Sequence, residues 1–179
     1  MRKKDASAGS GLPHRFIAAA GLMDIQPGHH VLEVGPGAGL LAGLICSRLS
    51  GGSYHGVDQS APMLEKAIRR NRDYVASGLA VFTAGDILHT SLPASFYDCI
   101  VAFNVNVFLR PEAPHLRSLH HSLKPGGSLW VFYQAPYEID ETAAAPMVSG
   151  LRAAAFDHVE SRLLNTRPAT VCVIGKRGR

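Results

Sequence analysis

Cysteine is scarce in this sequence, and its three cysteines do not form a pattern typical of a metal or redox site. The 179 residues contain Cys46, Cys99 and Cys172, an odd number with no C-x-x-C pair. Small disulfide-stabilised domains carry more cysteines, usually in even numbers. Cys46 falls in a predicted helix and the other two fall in predicted strands. We therefore expect three buried core residues in a cytoplasmic protein.

Long apolar runs and a secretion signal are also lacking. No apolar run approaches the roughly 20 residues that a membrane span needs. The first five residues carry three basic side chains, but small polar residues follow where a signal peptide has its apolar stretch. These features favour the cytoplasm and predict no membrane partner.

Sequence motifs for metal binding are missing as well. The chain has nine histidines, and four of them form the adjacent pairs His29-His30 and His120-His121, whose side chains point apart in any regular element. No H-E-x-x-H motif occurs, and no carboxylate cluster has ligand spacing. We predict no metal site and assign no catalytic residue.

The chain has a formal charge of +4, but this excess lies at its two ends. Residues 1–5 carry a net charge of +2, and Lys176, Arg177 and Arg179 add +3. The rest of the chain is therefore close to neutral. We predict a flexible basic tail at 1–12, a single domain at 13–176 and a short basic tail at 177–179. Because basic tails can bind phosphates, nucleic acid remains an alternative partner, although it is not favoured.

Strand-like and helix-like segments alternate along nearly the whole chain, which is typical of an α/β domain with a mainly parallel sheet. The predicted strands are residues 30–34, 53–57, 79–83, 97–103, 128–133, 157–164 and 169–176. The predicted helices are residues 13–23, 40–49, 61–74, 111–123 and 147–155. The turn between the last two strands is too short for a parallel crossover, so we expect these strands to pair antiparallel.

A glycine-rich loop follows the first predicted strand, with Gly35, Gly37 and Gly39 in the spacing G-x-G-x-G. Glycines at a strand-to-helix turn let backbone N–H groups come close to a ligand. The dinucleotide fingerprint needs a glycine at position 40, where this chain has Leu40. A phosphate-binding P-loop would end in Gly-Lys-Ser/Thr, which is absent. The spacing therefore argues against an NAD-dependent oxidoreductase and against a P-loop protein.

Five segments resemble, in order, the signatures of class I S-adenosylmethionine-dependent methyltransferases. They are Glu33-Val34-Gly35-Pro36-Gly37-Ala38-Gly39, Asp58-Gln59-Ser60 with Met63-Leu64, Gly85-Asp86-Ile87, Tyr97-Asp98-Cys99-Ile100, and Leu123-Lys124-Pro125-Gly126-Gly127-Ser128-Leu129. The resemblance covers residues 31–133. It implies an α/β, Rossmann-like, seven-stranded, mostly parallel sheet with an antiparallel last strand and helices on both faces. It also implies S-adenosylmethionine as the cofactor.

The resemblance implies a set of cofactor-binding residues. They are Glu33, Gly35, Pro36, Gly37, Gly39, Asp58, Gln59, Met63, Gly85, Asp86, Ile87 and Asn104. The glycine loop should hold the methionine half through its backbone. Asp58 should accept hydrogen bonds from both ribose hydroxyls, since an ionised carboxylate offers two acceptor oxygens and no donor. Asp86 should accept from the adenine amino group, with Ile87 packed near the ring.

Three of these acidic residues have simpler interpretations that the sequence leaves open. Asp58 could cap the helix that follows it, and Asp86 could belong to an ordinary Gly-Asp turn. Glu33 lies inside a strand and must be nearly buried. It would orient the glycine loop, reach the cofactor's amino group through water, or make a hydrogen bond in the core. Asp98 opens the fourth strand, at the end of the sheet away from a ligand, and is expected to be structural.

The expected acceptor side lies beyond the fourth and fifth strands. Asn104 would contact the methionine amino group through its carbonyl, as the resemblance suggests. The segment around it lacks the Asn/Asp-Pro-Pro-Tyr/Phe pattern of amide- and adenine-methylating enzymes and the Pro-Cys pair of cytosine-C5 enzymes. Tyr133, Tyr137 and Glu138 could shape a pocket there or supply a base, and His14 lies on a helix that could cover the cofactor.

The favoured function is methyl transfer from S-adenosylmethionine to a small-molecule acceptor. The chain is close to the minimal fold of this family, whereas large nucleic-acid methyltransferases usually carry a recognition domain. The alternatives are an RNA or protein methyltransferase that uses the basic tails, and a non-catalytic module that only binds S-adenosylmethionine. The sequence predicts neither the acceptor atom nor the oligomeric state.

Overall fold

The computed structural model describes residues 11–110 and 114–179. The helices are α1 (His14–Leu22), α2 (Leu40–Cys46), α3 (Ala61–Arg70), α4 (Arg72–Ala76), α5 (His115–Ser122) and α6 (Ala145–Ala153). The strands are β1 (His30–Val34), β2 (Ser53–Asp58), β3 (Ala80–Ala84), β4 (Tyr97–Phe103), β5 (Leu123–Tyr133), β6 (His158–Leu164) and β7 (Thr170–Lys176). Most of the predicted tail at 1–12 lies outside the described residues.

The strands form one seven-stranded sheet in the order β3-β2-β1-β4-β5-β7-β6. The neighbours from β3 to β5 pair in parallel, and β7 pairs antiparallel with both β5 and β6. The predicted fold class is therefore confirmed, including the antiparallel last strand. Because β1 and β4 are adjacent in the sheet but are separated in the chain by β2 and β3, the strand order reverses between them. Ligands of open α/β sheets bind at such a point, outside the carboxyl ends of the strands.

The central strands β1 and β4 are buried on both faces, as is usual in a mainly parallel sheet, whereas the edge strands β3 and β6 are largely exposed. In β4, Cys99, Val101 and Phe103 pack with α1 and α2 on one face. Ile100 and Ala102 pack with α5 and α6 on the other face. This alternation gives one hydrophobic cluster on each side, as expected when successive strand residues point to opposite faces.

Several predicted elements have different bounds in the structure, and two of these differences have a clear physical cause. The predicted helix 61–74 is divided at the buried Asn71, whose side-chain amide donates to the Ala67 and Gly39 carbonyls. Asparagine competes with the main chain in this way and disfavours a continuous helix. Strand β5 begins at Leu123, five residues earlier than predicted, because Leu123 pairs with Tyr97 before an irregularity in the ladder.

The carboxyl terminus is bonded to the body of the domain. The Arg177 main-chain N–H donates to the Gly127 carbonyl at 2.9 Å. Its guanidinium donates to the His121 carbonyl at 2.9 Å, and also to the Leu123 carbonyl. The Gly178 N–H donates to the Asp157 carboxylate at 2.6 Å. The guanidinium of Arg177 therefore neutralises carbonyl dipoles at the end of α5.

The cysteines and the charged groups away from the sheet's carboxyl edge have structural roles. The three cysteines are free and buried, as predicted. Asp98 accepts from the His30 N–H at 2.8 Å and forms an ion pair with Lys124 at the amino edge of the sheet, which confirms its structural role.

Within residues 11–110 and 114–179, no three His, Cys, Asp or Glu side chains are grouped closely enough to hold a metal ion. No helix among these residues is long and apolar enough to cross a membrane.

Candidate active site

A cavity of about 410 Å³ opens at the carboxyl edge of the sheet. Its lining follows the strand order. Gly85 to Leu88 follow β3, Asp58 and Gln59 end β2, Gly35 follows β1, and Asn104 to Val107 follow β4. The cavity is therefore an elongated trough across four neighbouring strands, within the usual range of small-molecule sites.

Gly35 forms the floor of this trough where β1 ends. Its φ of 70° lies in the left-handed region, and a Cβ placed there would lie 2.7 Å from Val105 Cγ2. Its N–H donates to the Val57 carbonyl at 2.8 Å, so the turn is fixed to the neighbouring strand. Only glycine fits this close approach without displacing the segment after β4. The missing side chain therefore lets Val105 pack directly against the turn at the wall of the cavity.

Gly39 allows helix α3 to approach the start of α2. Its φ is 73°, and a Cβ would lie 2.5 Å from Asn71 Nδ2 and 2.9 Å from the Ala67 Cα. Gly37 also has a positive φ, 52°, but a Cβ there would meet no atom within 4 Å. The loop therefore contains one glycine required for packing beside one required only for its backbone angle.

We expect Gly39→Ala to lower the free energy of unfolding by about 2 kcal/mol, because backbone strain and overpacking act together. Gly37→Ala should cost about 1 kcal/mol, since only the strain applies. Urea unfolding of both variants measures the difference. Equal losses would contradict the packing role given to Gly39.

Asp58 connects the glycine turn to the start of α3. One carboxylate oxygen accepts from the Gly37 N–H at 2.9 Å, and the other accepts from the Ser60 N–H at 2.9 Å. Ser60 is the N-cap residue of α3, so Asp58 bonds the approach to this helix, close to the role that the helix-capping interpretation expected, but not an N–H of its first turn. Each oxygen keeps a second lone pair, and Asp58 also lines the cavity. Both predicted roles are compatible in one side chain.

Asp86 lies at the β3 end of the cavity. Its Oδ1 accepts from the Leu88 N–H at 3.0 Å, which lowers the pKa of Asp86 and keeps it ionised. Gln59 also donates to this carboxylate and lowers the pKa further. Asp86 therefore forms the turn that the simpler interpretation expected, and it presents a charged acceptor beside Ile87.

Glu33 is buried beneath the glycine turn and is 2% exposed. Its Oε2 accepts from the Tyr54 hydroxyl at 2.6 Å, which identifies the core hydrogen bond among the alternatives for this residue. Burial raises the pKa of Glu33 to about 7, Asp58 raises it further, and the Tyr54 hydrogen bond opposes the shift. A carboxyl group that titrates near neutral pH therefore lies under the cavity.

Asn104 ends β4 with a left-handed backbone, φ 55°. Its side-chain amide pairs with the main chain of Gln134. Oδ1 accepts from the Gln134 N–H at 2.7 Å, and Nδ2 donates to the Gln134 carbonyl at 3.0 Å. One lone pair of the side-chain carbonyl is thus engaged within the protein, whereas the main-chain carbonyl of Asn104 has no donor among the described residues.

The cavity brings together seven of the twelve predicted cofactor residues, namely Gly35, Asp58, Gln59, Gly85, Asp86, Ile87 and Asn104. The other five do not line it and are Glu33, Pro36, Gly37, Gly39 and Met63. Gly37 is joined to it through Asp58. Met63 lies on α3 with its side chain 38% exposed. Their contacts with a cofactor remain predictions.

Sequence reasoning missed the apolar wall opposite Ile87, formed by Val105 and Val107. These valines precede and enter a short 3₁₀ turn, Asn106–Leu109, that the sequence pattern did not predict. Behind the turn, His115 packs edge-on against Phe108 and is 3% exposed. Neither ring nitrogen of His115 has a hydrogen-bond partner among the described residues, and burial lowers its pKa to about 4. It is therefore a neutral core residue at physiological pH.

A second cavity, of about 360 Å³, lies at the same edge of the sheet near the turn between β6 and β7. Glu138, Thr166 and Arg167 contribute its polar lining. Tyr133 ends β5 and does not line this cavity, and burial together with Tyr137 raises the pKa of Tyr133. Tyr133 is therefore a hydrogen-bond donor at neutral pH and a poor base, whereas Glu138 offers a carboxylate.

Helix α1 reaches this edge through Arg15. Its guanidinium donates to Gln134 Oε1 at 3.4 Å, and Phe16 packs on Phe103 with ring centroids 4.9 Å apart. His14 is exposed at the first position of the helix. The side chain of α1 that joins it to the site is therefore Arg15, which sequence reasoning did not single out.

The chain shares its sequence pattern with known methyltransferases. Residues 31–127, more than half of the chain, match the family described as methyltransferase domain. The chain is 29% identical over 162 residues to the uncharacterized methyltransferase YdaC of Bacillus subtilis, covering 87% of each protein. It is 32% identical over 117 residues to protein-L-isoaspartate O-methyltransferase of Pyrococcus horikoshii, covering 65% of this chain and 50% of that protein.

Solved structures share the fold. The S-adenosylmethionine-dependent methyltransferase SibL superposes with a TM-score of 0.73 at 23% identity, over 92% of this chain and 55% of SibL. Phosphoethanolamine N-methyltransferase 2 of Haemonchus contortus, solved with S-adenosylhomocysteine, gives a TM-score of 0.72 at 12% identity. It covers 93% of this chain and 53% of that one. The chain thus spans about half the length of these two proteins.

The fold and the cavity define a class I methyltransferase domain. The chain belongs to the methyltransferase-domain family, and it is an S-adenosylmethionine-dependent methyltransferase. The predicted family and cofactor are thereby confirmed. The cavity fits this cofactor, because it extends across the ends of four neighbouring strands and because Asp58 and Asp86 offer carboxylate acceptors for ribose and adenine donors. The cofactor supplies a methyl group on a sulfonium and a neutral thioether leaving group.

Proposed function

We propose that the protein transfers the methyl group to a small-molecule acceptor bound beyond β5, at the end of β6 and the turn between β6 and β7. The observation that carries this proposal is the second cavity of about 360 Å³, which opens at the same edge of the sheet as the cofactor cavity. Its volume suits a small molecule. Strand spacing places the lining strand β6 about 14 Å from β4, three strands away, and the turn between β6 and β7 extends from it toward β5. An acceptor in this cavity would therefore approach the methyl group from the side opposite Asp86.

The residues around the second cavity indicate what the chain contributes. Methyl transfer requires the acceptor atom to lie in line with the sulfonium, and such alignment is worth roughly 7–11 kcal/mol. Glu138 and Arg167 offer one charge of each sign for holding a polar acceptor. Glu138 would also accept a proton from an acceptor that must lose one. Tyr133, whose pKa is raised, would donate a hydrogen bond instead.

A polyanionic acceptor is the second candidate, and one surface favours it. Lys66, Arg69 and Arg70 of α3 line a shallow depression beside Ala38 of the glycine loop. Arg70 Nε donates to the Ala38 carbonyl at 3.0 Å, and Arg69 lies 3.6 Å from Glu65. These contacts neutralise part of the local charge, and at the carboxyl end Arg177 already binds carbonyl groups. We therefore rank RNA below a small molecule.

The test is an acceptor screen with S-adenosylmethionine labelled in its methyl group. Small phenols, amines and carboxylic acids form one set, and an isoaspartyl peptide and an RNA oligonucleotide form two others. We expect label transfer to a member of the first set, with loss of transfer in Glu138→Gln or Arg167→Ala. Transfer to the peptide or the RNA alone would replace the proposal with a protein or RNA methyltransferase. Cofactor binding without any transfer would favour a non-catalytic binding module.

A further inference from the structure

Gln134 lies between the two cavities and is hydrogen-bonded toward both. Its main chain pairs with the Asn104 side chain on the cofactor side. Its side-chain Nε2 donates to the Pro168 carbonyl at 2.7 Å and to Thr170 Oγ1 at 3.0 Å on the other side. Arg15 donates to its Oε1 at 3.4 Å. The residue is 8% exposed, and its polar atoms are bonded within the protein.

The pairing with Gln134 decides which group of Asn104 faces a ligand. The register between β4 and β5 ends at Phe103 and Phe132, and the Asn104 N–H donates to the Phe132 carbonyl at 2.9 Å. Beyond that point, the Asn104 side chain takes the place of its main chain in bonding Gln134. No described residue donates to the Asn104 main-chain carbonyl. A strong acceptor is therefore left without a protein partner next to the cofactor cavity.

The position of this carbonyl matches one end of the expected cofactor. A ribose requires acceptors for its hydroxyls, which Asp58 provides at the middle of the trough, and adenine requires an acceptor such as Asp86 at the β3 end. The remaining end lies between Gly35 and the segment after β4, where Val105 packs against the glycine. The amino-acid half of S-adenosylmethionine must occupy that end, and its ammonium needs acceptors.

Gln134 lies just after the last residue of β5, so the ladder between the strands does not hold it. Its side-chain bonds to the turn between β6 and β7, and to Arg15 of α1, fix the main chain instead. If those bonds were lost, the groups that pair with Asn104 would be free to move. Asn104 would then lose the support for its left-handed backbone, a conformation that costs about 1–3 kcal/mol when nothing stabilises it.

We propose that Gln134 is a positioning residue that makes the first cavity prefer ligands with the amino-acid half of the cofactor over ligands that lack it. It acts through Asn104, whose main-chain carbonyl accepts from the cofactor ammonium. This inference rests on the proposed use of S-adenosylmethionine in the first cavity. Hydrogen bonds of the same side chain also connect α1 and the second cavity to the cofactor cavity, because Arg15 donates to Gln134 and Gln134 donates to Thr166 of the second cavity.

The test compares two ligands by calorimetric titration. S-adenosylmethionine carries the amino-acid half, whereas 5′-methylthioadenosine keeps the adenosine and the sulfur but lacks it. Gln134→Met keeps the side-chain length but removes the polar atoms. We expect it to lower the affinity for S-adenosylmethionine about tenfold. Binding of 5′-methylthioadenosine should change less than twofold, because its contacts lie at the other end of the trough.

Two further variants make the outcome decisive. Thr170→Val removes one of the bonds that hold the Gln134 side chain, and because the bonds to Pro168 and Arg15 remain, we expect a loss of S-adenosylmethionine affinity of the same selective kind but smaller than in Gln134→Met. Asn104→Gly keeps the left-handed backbone but removes the two hydrogen bonds between the Asn104 side chain and the Gln134 main chain. It should reproduce the selective loss of S-adenosylmethionine affinity if Gln134→Met fails to fold. Equal weakening of both ligands, or unchanged S-adenosylmethionine binding in folded variants, would overturn the positioning role. A wild type that binds 5′-methylthioadenosine but not S-adenosylmethionine would overturn the proposed function instead.

Discussion

The substitution Asp58→Ala should weaken S-adenosylmethionine binding by about a hundredfold. Asp58 fixes the turn at Gly37 and the start of α3 through two N–H groups, and its remaining lone pairs face the cavity. A charge-assisted hydrogen bond contributes about 1.5–3 kcal/mol, and 1.4 kcal/mol corresponds to a factor of ten in affinity. Because Asp58→Ala removes both the ligand contact and the support of the turn, we expect a loss at the upper end of this 1.5–3 kcal/mol range, or about a hundredfold in affinity.

Calorimetric titration with S-adenosylmethionine and S-adenosylhomocysteine measures this loss. The two ligands share the ribose, so both should weaken to the same extent. Asp98→Ala is the matched control, because Asp98 also accepts from a main-chain N–H, that of His30, but at the opposite edge of the sheet. It should lower the melting temperature and leave both affinities unchanged. Wild-type affinity in Asp58→Ala would exclude Asp58 from the binding site.

Replacing Glu33 should change how the stability of the protein depends on pH. Burial raises the pKa of Glu33 to about 7 in the folded state, compared with 4.5 for an exposed glutamate. The folded protein therefore retains a proton between these values that the unfolded chain releases. The contribution of this proton to the free energy of unfolding is fully present below pH 4.5. It is lost as pH rises from 4.5 to about 7 and stays lost above that. The total is about 3 kcal/mol, since each pKa unit corresponds to about 1.4 kcal/mol.

Glu33→Gln isolates this contribution, because glutamine is neutral at every pH and can still accept from Tyr54. We expect the variant to gain about 3 kcal/mol relative to wild type between pH 4.5 and pH 8.5, measured by urea unfolding. Glu65→Gln makes the same charge change on the exposed face of α3, where Glu65 lies 3.6 Å from Arg69. A difference between Glu33→Gln and wild type that does not vary with pH would show that Glu33 stays ionised in the core.

Motif order predicted that the candidate cofactor residues Asp58 and Asp86 lie at one edge of the sheet, because a parallel sheet brings the carboxyl ends of its strands together. Asp58 follows β2 and Asp86 follows β3, so their chain positions alone placed them at that edge. The sequence could not predict the second set of contacts that each makes. Gly37 and Ser60 donate to Asp58 only because the glycine turn and the start of α3 fold back toward each other.

The acceptor side was predicted less completely because its contacts join distant parts of the chain. Arg15 and Gln134 are 119 positions apart, and Gln134 and Thr170 are 36 apart. No local pattern marks a glutamine just after a strand as the centre of a network. The short 3₁₀ turn that carries Val107 was missed for a similar reason. Its apolar residues gain their burial from the rest of the fold and lack a periodic pattern of their own.

The sequence by itself determined the family, the α/β sheet and the residue types at the ends of β1 to β4. These features depend on local strand and helix patterns and on glycines whose backbone angles other residues adopt only at a cost. The tertiary structure decided which atoms those residues still offer to a ligand. Packing occupied the Asn104 side chain with Gln134, placed Glu33 under Tyr54, and left the Asn104 carbonyl without a partner. Such choices arise from long-range contacts, which no single segment of the chain specifies.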